Sequence, residues 1–247
     1  MAQHRLTTLE QTVAAVSLRY GPAALTKATC APLRRPALPT GLPALDGALA
    51  GGGLPRGRIS ELIGPLSAGA TTLAARIVAG AQRLGEGVAY LDLAGAADAD
   101  GLARCGVDLQ RLPVIRPHHS RQALEIALTL VARQGLGLLV LDAVGDLWQA
   151  PADGRWAAAA LRRLLGRLRR SSCAFLALHH GRAEKLCYPP GFSLQAHAWL
   201  RLELQQVRWL RRMGDVWGCE AEVLVVQQRN GREGQRVRIN IDFGGMI

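Results

Sequence analysis

The chain has 247 residues, of which 49% are apolar and 20% charged, which is typical of one globular domain with a buried core. No apolar run approaches the ~20 residues that cross a membrane, and the polar segment Met1–Glu10 is unlike a signal peptide, so we expect a cytoplasmic protein. The net charge of +11 favours polyanionic partners such as nucleic acid, although an arginine-biased genome would explain it equally well.

The N-terminal segment is predicted to be an arm. Leu6–Tyr20 has the apolar stripe of an amphipathic helix, which Gly21 and Pro22 would end, and a proline-rich connector follows it. We expect residues 1–35 to form this helix and linker, and residues 36–247 to form one core domain. Such a helix packs on its own domain more often than on a neighbour, but here it is also a candidate for partner docking. The candidate docking residues are Leu6, Leu9, Val13 and Val16.

A glycine-rich loop lies between a predicted strand, Arg58–Ile63, and a predicted helix, Thr71–Leu84. The loop follows the phosphate-binding pattern G-x-x-x-x-G-K-[ST], in which backbone N–H groups cradle phosphates, lysine reaches the outer phosphates and a hydroxyl holds Mg²⁺. This loop lacks the lysine of the pattern. The residues at the site are Gly64, Ser67, Gly69, Ala70 in place of lysine, Thr71 and Thr72.

Four further segments read as buried strands and alternate with two helices, Gln122–Gln134 and Trp156–Arg170. This order predicts a parallel sheet with helices on both faces. The strands are Gly87–Leu93, Leu112–Arg116, Leu136–Leu141 and Ala174–Leu178.

Polar residues follow two of these strands. Asp142 suits a carboxylate that would hold Mg²⁺ beside the P-loop, although capping of a following helix is an equally ordinary role. His179 and His180 point to opposite faces, so shared metal ligation is disfavoured and we interpret them as ordinary polar strand termini.

The helix Trp156–Arg170 has an apolar face and an arginine-rich face. Such a face grips phosphates or an acidic protein, or is simply solvated. The candidate DNA-binding residues of this helix and the flanking loops are Arg155, Arg162, Arg163, Arg167, Arg169, Arg170, Arg182 and Lys185.

The C-terminal part is predicted to be antiparallel, with Asn230-Gly231 as a hairpin turn. Its predicted strands are Ala198–Leu204, Arg208–Arg212, Ala221–Gln227 and Gln235–Ile241. The five cysteines form no C-x-x-C pair, so we expect reduced, mostly buried thiols and no metal site.

An ordered series of segments resembles the ImuA group of bacterial RecA-fold proteins. The resemblance implies a RecA-like P-loop α/β fold, with a mostly parallel central sheet, helices on both faces and C-terminal antiparallel strands. The matching segments are Pro39–Asp46, Gly51–Ile59 leading into the P-loop, Gly85–Asp92, Cys105–Asp108, Leu138–Leu147 and Val223–Asp242.

The resemblance also exposes departures from a working RecA-type ATPase. Ala70 stands for the P-loop lysine, Ala94 for the glutamate that activates water, and His180 for a glutamine that senses the γ-phosphate. Gln227 and Arg229 stand where a recombinase has a Lys-x-Lys pair facing its neighbour's ATP. Together these departures argue against ATP turnover, so we expect no enzyme and no required cofactor, while weak ATP/Mg²⁺ binding stays open.

The function implied by the resemblance is an accessory role in SOS-induced, mutagenic translesion synthesis at the nucleoid. Implied partners are the ImuB polymerase-like protein, RecA and a damage-tolerant replicative polymerase, with sequence-independent DNA binding through the loops Gln149–Arg155 and Gly181–Leu194. The alternatives are an active DNA-dependent ATPase or recombinase, and a SulA-like inhibitor of cell division.

Overall fold

The computed structural model of the protein describes residues 15, 18–19, 36–65, 69–133, 135–142, 154–181, 194–212 and 215–242. The chain divides into two compact units, Met1–Arg35 and Pro36–Ile247. In the first unit Ala15, Leu18 and Arg19 have helical backbone. The four apolar residues proposed for docking, Leu6, Leu9, Val13 and Val16, lie outside the described residues. Within the described residues, no helix is long and apolar enough to cross a membrane.

The described part of the second unit is built on one eight-stranded sheet, in the order β3-β2-β4-β5-β1-β6-β7-β8. The first six strands in this order, including β6 beside β1, are parallel, and β7 and β8 extend the sheet antiparallel. The strands are β1 Ile59–Gly64, β2 Gly87–Asp92, β3 Val114–Ile115, β4 Leu136–Asp142, β5 Ala174–His180, β6 Ala198–Arg212, β7 Asp215–Gln228 and β8 Arg236–Asp242.

Helices cover both faces of this sheet, as the continuous apolar strands require. The α2 residues Leu73 and Ile77 pack into the core on one face, and Leu124 of α4 and Leu164 of α5 pack into the core on the other. The helices are α1 Pro43–Ala48, α2 Ala70–Arg83, α3 Ala99–Arg104, α4 Ser120–Ala132, α5 Gly154–Leu168 and α6 Leu194–His197, with a 3₁₀ turn at Leu109–Arg111.

The mixed α/β sheet predicted from the sequence is confirmed, but one of its predicted strand boundaries is wrong. Ala198–Leu204 and Arg208–Arg212 are parts of a single long strand, β6, whose pairing with β7 shifts register between Leu204 and Gln206. A β-bulge at this point lets the strand continue although its inward and outward residues change phase.

The described cysteines are buried free thiols, namely Cys105, Cys173 and Cys219. Burial raises the pKa of the Cys173 thiol to about 12 and that of Cys219 to about 11. These two thiols therefore stay protonated at neutral pH. Cys30 and Cys187 lie outside the described residues.

Candidate functional site

The P-loop turn joins β1 to α2 at the carboxyl edge of the sheet. Gly69 is the N-cap of α2 and has a φ of 84°, a left-handed conformation that glycine adopts without steric cost. The Gly64 carbonyl accepts a hydrogen bond of 2.8 Å from the N–H of Gly181, which fixes the start of the loop to the end of β5. Thr71 and Thr72 are half-buried in the first turn of α2, and Ser67 lies outside the described residues.

Ala70, at the lysine position of the motif, is a core residue that is only 3% exposed. A Cβ at Gly64 would lie 3.4 Å from the Ala70 Cβ and 3.3 Å from two atoms of Leu204. The Cβ of residue 70 therefore lies in an apolar, tightly packed surrounding, and the side chain supplies no ammonium group where this motif ordinarily carries one. A lysine at residue 70 would begin in this core and would have to extend out of it.

The carboxylate of Asp142, at the end of β4, is fully buried and is held by two side chains from neighbouring strands. The Tyr90 hydroxyl in β2 donates to Oδ2 at 2.6 Å, and His180 Nε2 in β5 lies 2.6 Å from Oδ1. Burial, followed by the charge and hydrogen bond of Asp142, raises the pKa of Tyr90, so the phenol stays protonated and donates. Both carboxylate oxygens are thus engaged inside the protein.

A second buried carboxylate, Asp92, ends β2 directly opposite Asp142. Its Oδ1 accepts from the Ala96 N–H at 2.9 Å, and its Oδ2 accepts from the Ala97 N–H at 3.2 Å and from Arg116 Nε at 3.1 Å. These bonds tie down the loop that contains Ala94, whose methyl group is exposed and carries no titratable function.

The two adjacent histidines serve two separate networks, so their interpretation as ordinary polar termini is wrong. His180 contacts Asp142, whereas His179 lies 3.3 Å from Oε1 of Glu61 in β1. Glu61 also accepts from Arg201 Nε of β6 at 2.7 Å, and these three side chains are almost fully buried. The alternation of a strand sends the two rings to opposite faces, as the sequence predicts.

Among the described residues, no three His, Cys, Asp or Glu side chains converge into a metal-binding cluster.

The arginine-rich helix predicted from the sequence corresponds to α5, and its buried and exposed side chains fall on the faces that the periodicity predicts. Leu161, Leu164 and Leu168 are buried, while Arg162 and Arg163 are exposed. Arg167 is also exposed, but it donates to the Leu128 carbonyl of α4 at 2.7 Å. Arg169 and Arg170 are exposed just beyond the helix. The side chain of Arg155 is not described, and Arg182 and Lys185 lie outside the described residues.

Gln227 and Arg229 lie at the opposite, amino edge of the sheet. Gln227 Nε2 donates to the Ala198 carbonyl, and Arg229 Nη2 donates to the Ala196 carbonyl, each at 3.1 Å. Neither side chain is near the P-loop of its own chain, because the two edges are separated by the length of the strands.

Sequence reasoning missed Tyr90, Glu61 and Arg201, and it missed the pairing of His180 with Asp142. The available signal was that three apolar strands, β2, β4 and β5, each carry polar residues near their carboxyl ends. Strand order is needed to turn that signal into contacts.

A glycine-rich turn between β1 and α2, with acidic strand ends beside it in a parallel sheet, defines the P-loop class of α/β proteins. The family model described as the RecA N-terminal domain matches residues 7–247. The chain therefore belongs to the RecA family, and the RecA-like fold expected from the sequence is confirmed.

Curated relatives agree with this assignment. The RecA protein of Herpetosiphon aurantiacus is 33% identical over 233 residues, covering 87% of this chain and 65% of the relative. The RecA protein of Nitratidesulfovibrio vulgaris is 30% identical over 242 residues, covering 90% of this chain and 68% of the relative. This chain thus spans about two thirds of the length of these relatives.

Proposed function

We propose that this RecA-family chain is a non-catalytic accessory protein of SOS-induced translesion DNA synthesis, of the ImuA type, acting in the cytoplasm at the nucleoid. The observation that carries the non-catalytic part is the engagement of both Asp142 oxygens by Tyr90 and His180. The ImuA assignment rests on the series of segments from Pro39–Asp46 to Val223–Asp242.

The residues present do not fit Mg²⁺–ATP as a RecA-type ATPase holds it. A metal ion at Asp142 would compete with the Tyr90 hydroxyl and the His180 ring for the carboxylate oxygens, and displacing the buried Tyr90 hydroxyl would cost about 1–3 kcal/mol. Ala70 supplies no positive charge, and loss of one charge-assisted phosphate contact removes about 1.5–3 kcal/mol of binding.

A second residue also argues against ATP hydrolysis, because Ala94 stands where a water-activating carboxylate is expected. Loss of a general base or orienting group lowers a rate by roughly 10²–10⁴-fold. The glycine-rich turn then serves as structure, since it reverses the chain from β1 into α2 and joins β5 through the Gly181–Gly64 hydrogen bond.

The partners follow from the resemblance: ImuB, RecA and a damage-tolerant polymerase, with DNA bound independently of sequence. Arg162 and Arg163 support the DNA contact, because they project from a helix whose opposite face is buried in the core. Guanidinium groups on such a face neutralise phosphates without reading bases.

Turnover is tested by measuring ATP hydrolysis with and without single-stranded DNA, beside binding of a fluorescent ATP analogue. We expect turnover at background and, at most, weak Mg²⁺-independent binding. Asp142→Asn is the matched variant, since it keeps the side-chain shape. DNA-stimulated hydrolysis that Asp142→Asn abolishes would overturn the non-catalytic proposal.

DNA binding is tested with a labelled oligo-dT and the variant Arg162→Glu/Arg163→Glu. Its charge-matched control is Arg104→Glu/Arg111→Glu, whose side chains are exposed elsewhere on the core. We expect the first variant to weaken binding and flatten its salt dependence, and the control to change both much less. Equal effects would mean that net charge alone is responsible.

Partner docking is tested by pull-down against ImuB, RecA and the polymerase with Leu9→Asp/Val13→Asp. We expect the wild type to retain at least one of them and the variant to lose it. An absence of all three complexes, together with inhibition of division-ring assembly, would favour the SulA-like alternative.

An active DNA-dependent ATPase is the second candidate, favoured by the RecA family assignment and by the retained Gly69–Thr71 turn. It predicts the opposite hydrolysis result, so the first experiment separates the two.

A further inference from the structure

The strand β6 extends far past its parallel neighbour β1. The pairing of these two strands ends at Glu203, opposite Ile63, whereas β6 continues to Arg212. At the usual rise of a strand, this continuation is roughly 25–30 Å long. One side of it pairs with β7, but among the described residues no strand pairs with the side that β1 leaves. We call residues 205–212 of β6 the open edge.

Two tryptophans are exposed at and beside this open edge. Trp209 is 41% exposed, and Trp217 on the neighbouring strand β7 is 42% exposed. Trp209 pairs with Cys219, and Trp217 lies two residues before Cys219, so the two indoles come from cross-strand positions that large side chains can bridge. Val216, next to Trp217, is equally exposed. Large apolar side chains exposed together, unlike single ones, indicate a binding surface, and tryptophan is enriched among the residues that dominate such surfaces.

The charges around these tryptophans are mainly positive. Arg208 and Arg211 of the open edge are both exposed. Arg208 forms an ion pair with Glu220 of β7, with Nη2 2.6 Å from Oε2, whereas Arg211 forms no ion pair with any described residue. Edge-to-edge pairing with a second copy of this chain would bring the same arginines together, and like charges on neighbouring strands repel. The surface therefore fits a partner that carries acidic side chains.

The backbone of the open edge favours a peptide over a nucleic acid. In an antiparallel pair, one residue of a strand directs its N–H and C=O at the neighbouring strand and the next directs them away. Along residues 205–212, the second set of groups therefore faces the side that has no strand among the described residues. An extended peptide supplies both donors and acceptors to such an edge, whereas a DNA backbone offers only acceptors. Glu220 beside Arg208 also offsets part of the attraction for a polyanion.

We propose that the open edge binds an extended segment of a protein partner, which adds to the sheet as a further strand beside β6. Main-chain hydrogen bonds along residues 205–212 supply affinity, and alternate side chains supply selectivity. Trp209 and Arg211 lie two residues apart, so their side chains share one face of β6. The partner segment therefore carries a large apolar residue and an acidic residue at alternate positions, which pack on the Trp209 indole and pair with the Arg211 guanidinium.

This surface goes beyond the proposed function, because it uses neither the P-loop, nor the N-terminal helix, nor the arginine face of α5. Its failure would leave the tests of ATP turnover, of DNA binding by Arg162 and Arg163 and of docking through Leu9 unaffected.

The test selects a phage-displayed library of random dodecapeptides on the full chain, with Trp209→Ser for counter-selection. We expect enriched peptides to have apolar and acidic residues at alternate positions. The most enriched peptide is then synthesised with a fluorescent label. Anisotropy should show that Trp209→Ser and Arg211→Glu each weaken its binding roughly tenfold or more, as for contacts near the centre of an interface. The controls Leu84→Ser and Arg104→Glu, which replace exposed residues elsewhere, should bind as the wild type does.

The backbone of the peptide separates strand addition from simple charge attraction. Two versions are methylated on alternate backbone nitrogens, each along one of its two edges, and both keep every side chain. We expect methylation of the edge that faces β6 to abolish binding, because the donors are lost, and methylation of the other edge to leave binding intact. Equal binding of the two versions would rule out strand addition. Thermal unfolding followed by circular dichroism verifies that each protein variant is folded.

The other possible occupants give different results. Oligo-dT binding that Trp209→Ser weakens would assign the open edge to a nucleic acid, and a dimer in sedimentation that Trp209→Ser dissociates would assign it to a second copy of this chain. Either result would overturn the proposal. So would a library without enriched peptides, or an enriched peptide that the Trp209→Ser and Arg211→Glu variants bind as tightly as the wild type.

Discussion

The two edges of the central sheet treat their charges in opposite ways. At the carboxyl edge, Asp142 is engaged by Tyr90 and His180, and Asp92 is engaged by loop N–H groups and Arg116. At the amino edge, Arg58 and Arg229 both contact the ring of Trp199, and the described residues pair neither of them with a carboxylate.

This difference indicates which charged side chains of this RecA-family chain are available to bind other molecules. Buried carboxylates with internal partners stabilise the fold, and a ligand that binds them must compete with hydrogen bonds already made. Half-buried and exposed cations without a carboxylate partner contribute little to stability and are suited to an anionic partner. Substitutions at the two kinds of site should therefore differ in the size and sign of their effect on stability.

The largest loss of stability is expected at the buried pair Glu61–Arg201. Arg201→Met leaves the Glu61 carboxylate buried without its guanidinium partner, and breaking such a pair costs roughly 3–5 kcal/mol. Urea unfolding followed by circular dichroism measures the loss. The double variant Glu61→Met/Arg201→Met should lose much less, because it removes both charges; an equal loss would mean that packing is responsible.

A somewhat smaller loss is expected for Asp142→Ala. The buried Tyr90 hydroxyl would lose its acceptor at about 1–3 kcal/mol, and the partly exposed His180 ring would lose its partner at a smaller cost. Asp142→Asn should be milder, because its amide oxygen still accepts from Tyr90. If Asp142→Ala unfolded at the wild-type urea concentration, the contacts of Tyr90 and His180 with the carboxylate would contribute nothing to stability.

The sequence alone predicts the strands and the main helices because apolar runs and glycine turns are local signals. It predicts the faces of α5 for the same reason, since Leu161, Leu164 and Leu168 follow one another at intervals of about one helical turn. It fails where a contact depends on strand order: Tyr90 and His180 meet Asp142 only because β2, β4 and β5 are neighbours. The contacts of Trp199 with Arg58 and Arg229 are harder still to predict, since Arg58 and Trp199 are more than a hundred residues apart in the sequence.

Short elements were missed for a related reason. The helix Pro43–Ala48 is a turn and a half long, and Asp46 inside it accepts from the N–H and the hydroxyl of Thr40. Six residues are too few for an apolar period to show, so only tertiary packing of Leu45 makes the segment helical.

Alkaline pH should destabilise the protein through Cys173, which directly precedes β5. Its folded pKa is raised from 9.0 to about 12 by burial, so the thiol remains protonated in the native state while the unfolded chain ionises. The associated stability is fully present below about pH 9 and is lost as the pH rises towards 12, by up to about 1.4 kcal/mol per unit. Urea unfolding between pH 8 and 10.5 should therefore give a shallower pH slope in Cys173→Ala than in the wild type. Parallel slopes would place the titration elsewhere.

The smallest effect is expected at Arg169, and its sign is what distinguishes the two edges. Arg169→Gln removes one of three mutually repelling charges, those of Arg58, Arg169 and Arg229, and no recorded side-chain bond, so the melting temperature should rise by about 1 °C at low ionic strength. At the carboxyl edge, the comparable neutral substitution His180→Gln removes the 2.6 Å contact with Asp142 and should lower it. Differential scanning calorimetry at two salt concentrations measures both, since salt screens the repulsion and should erase only the gain. A lower melting temperature for Arg169→Gln at both salt concentrations would mean that this arginine is paired within the fold, and the contrast between the edges would fail.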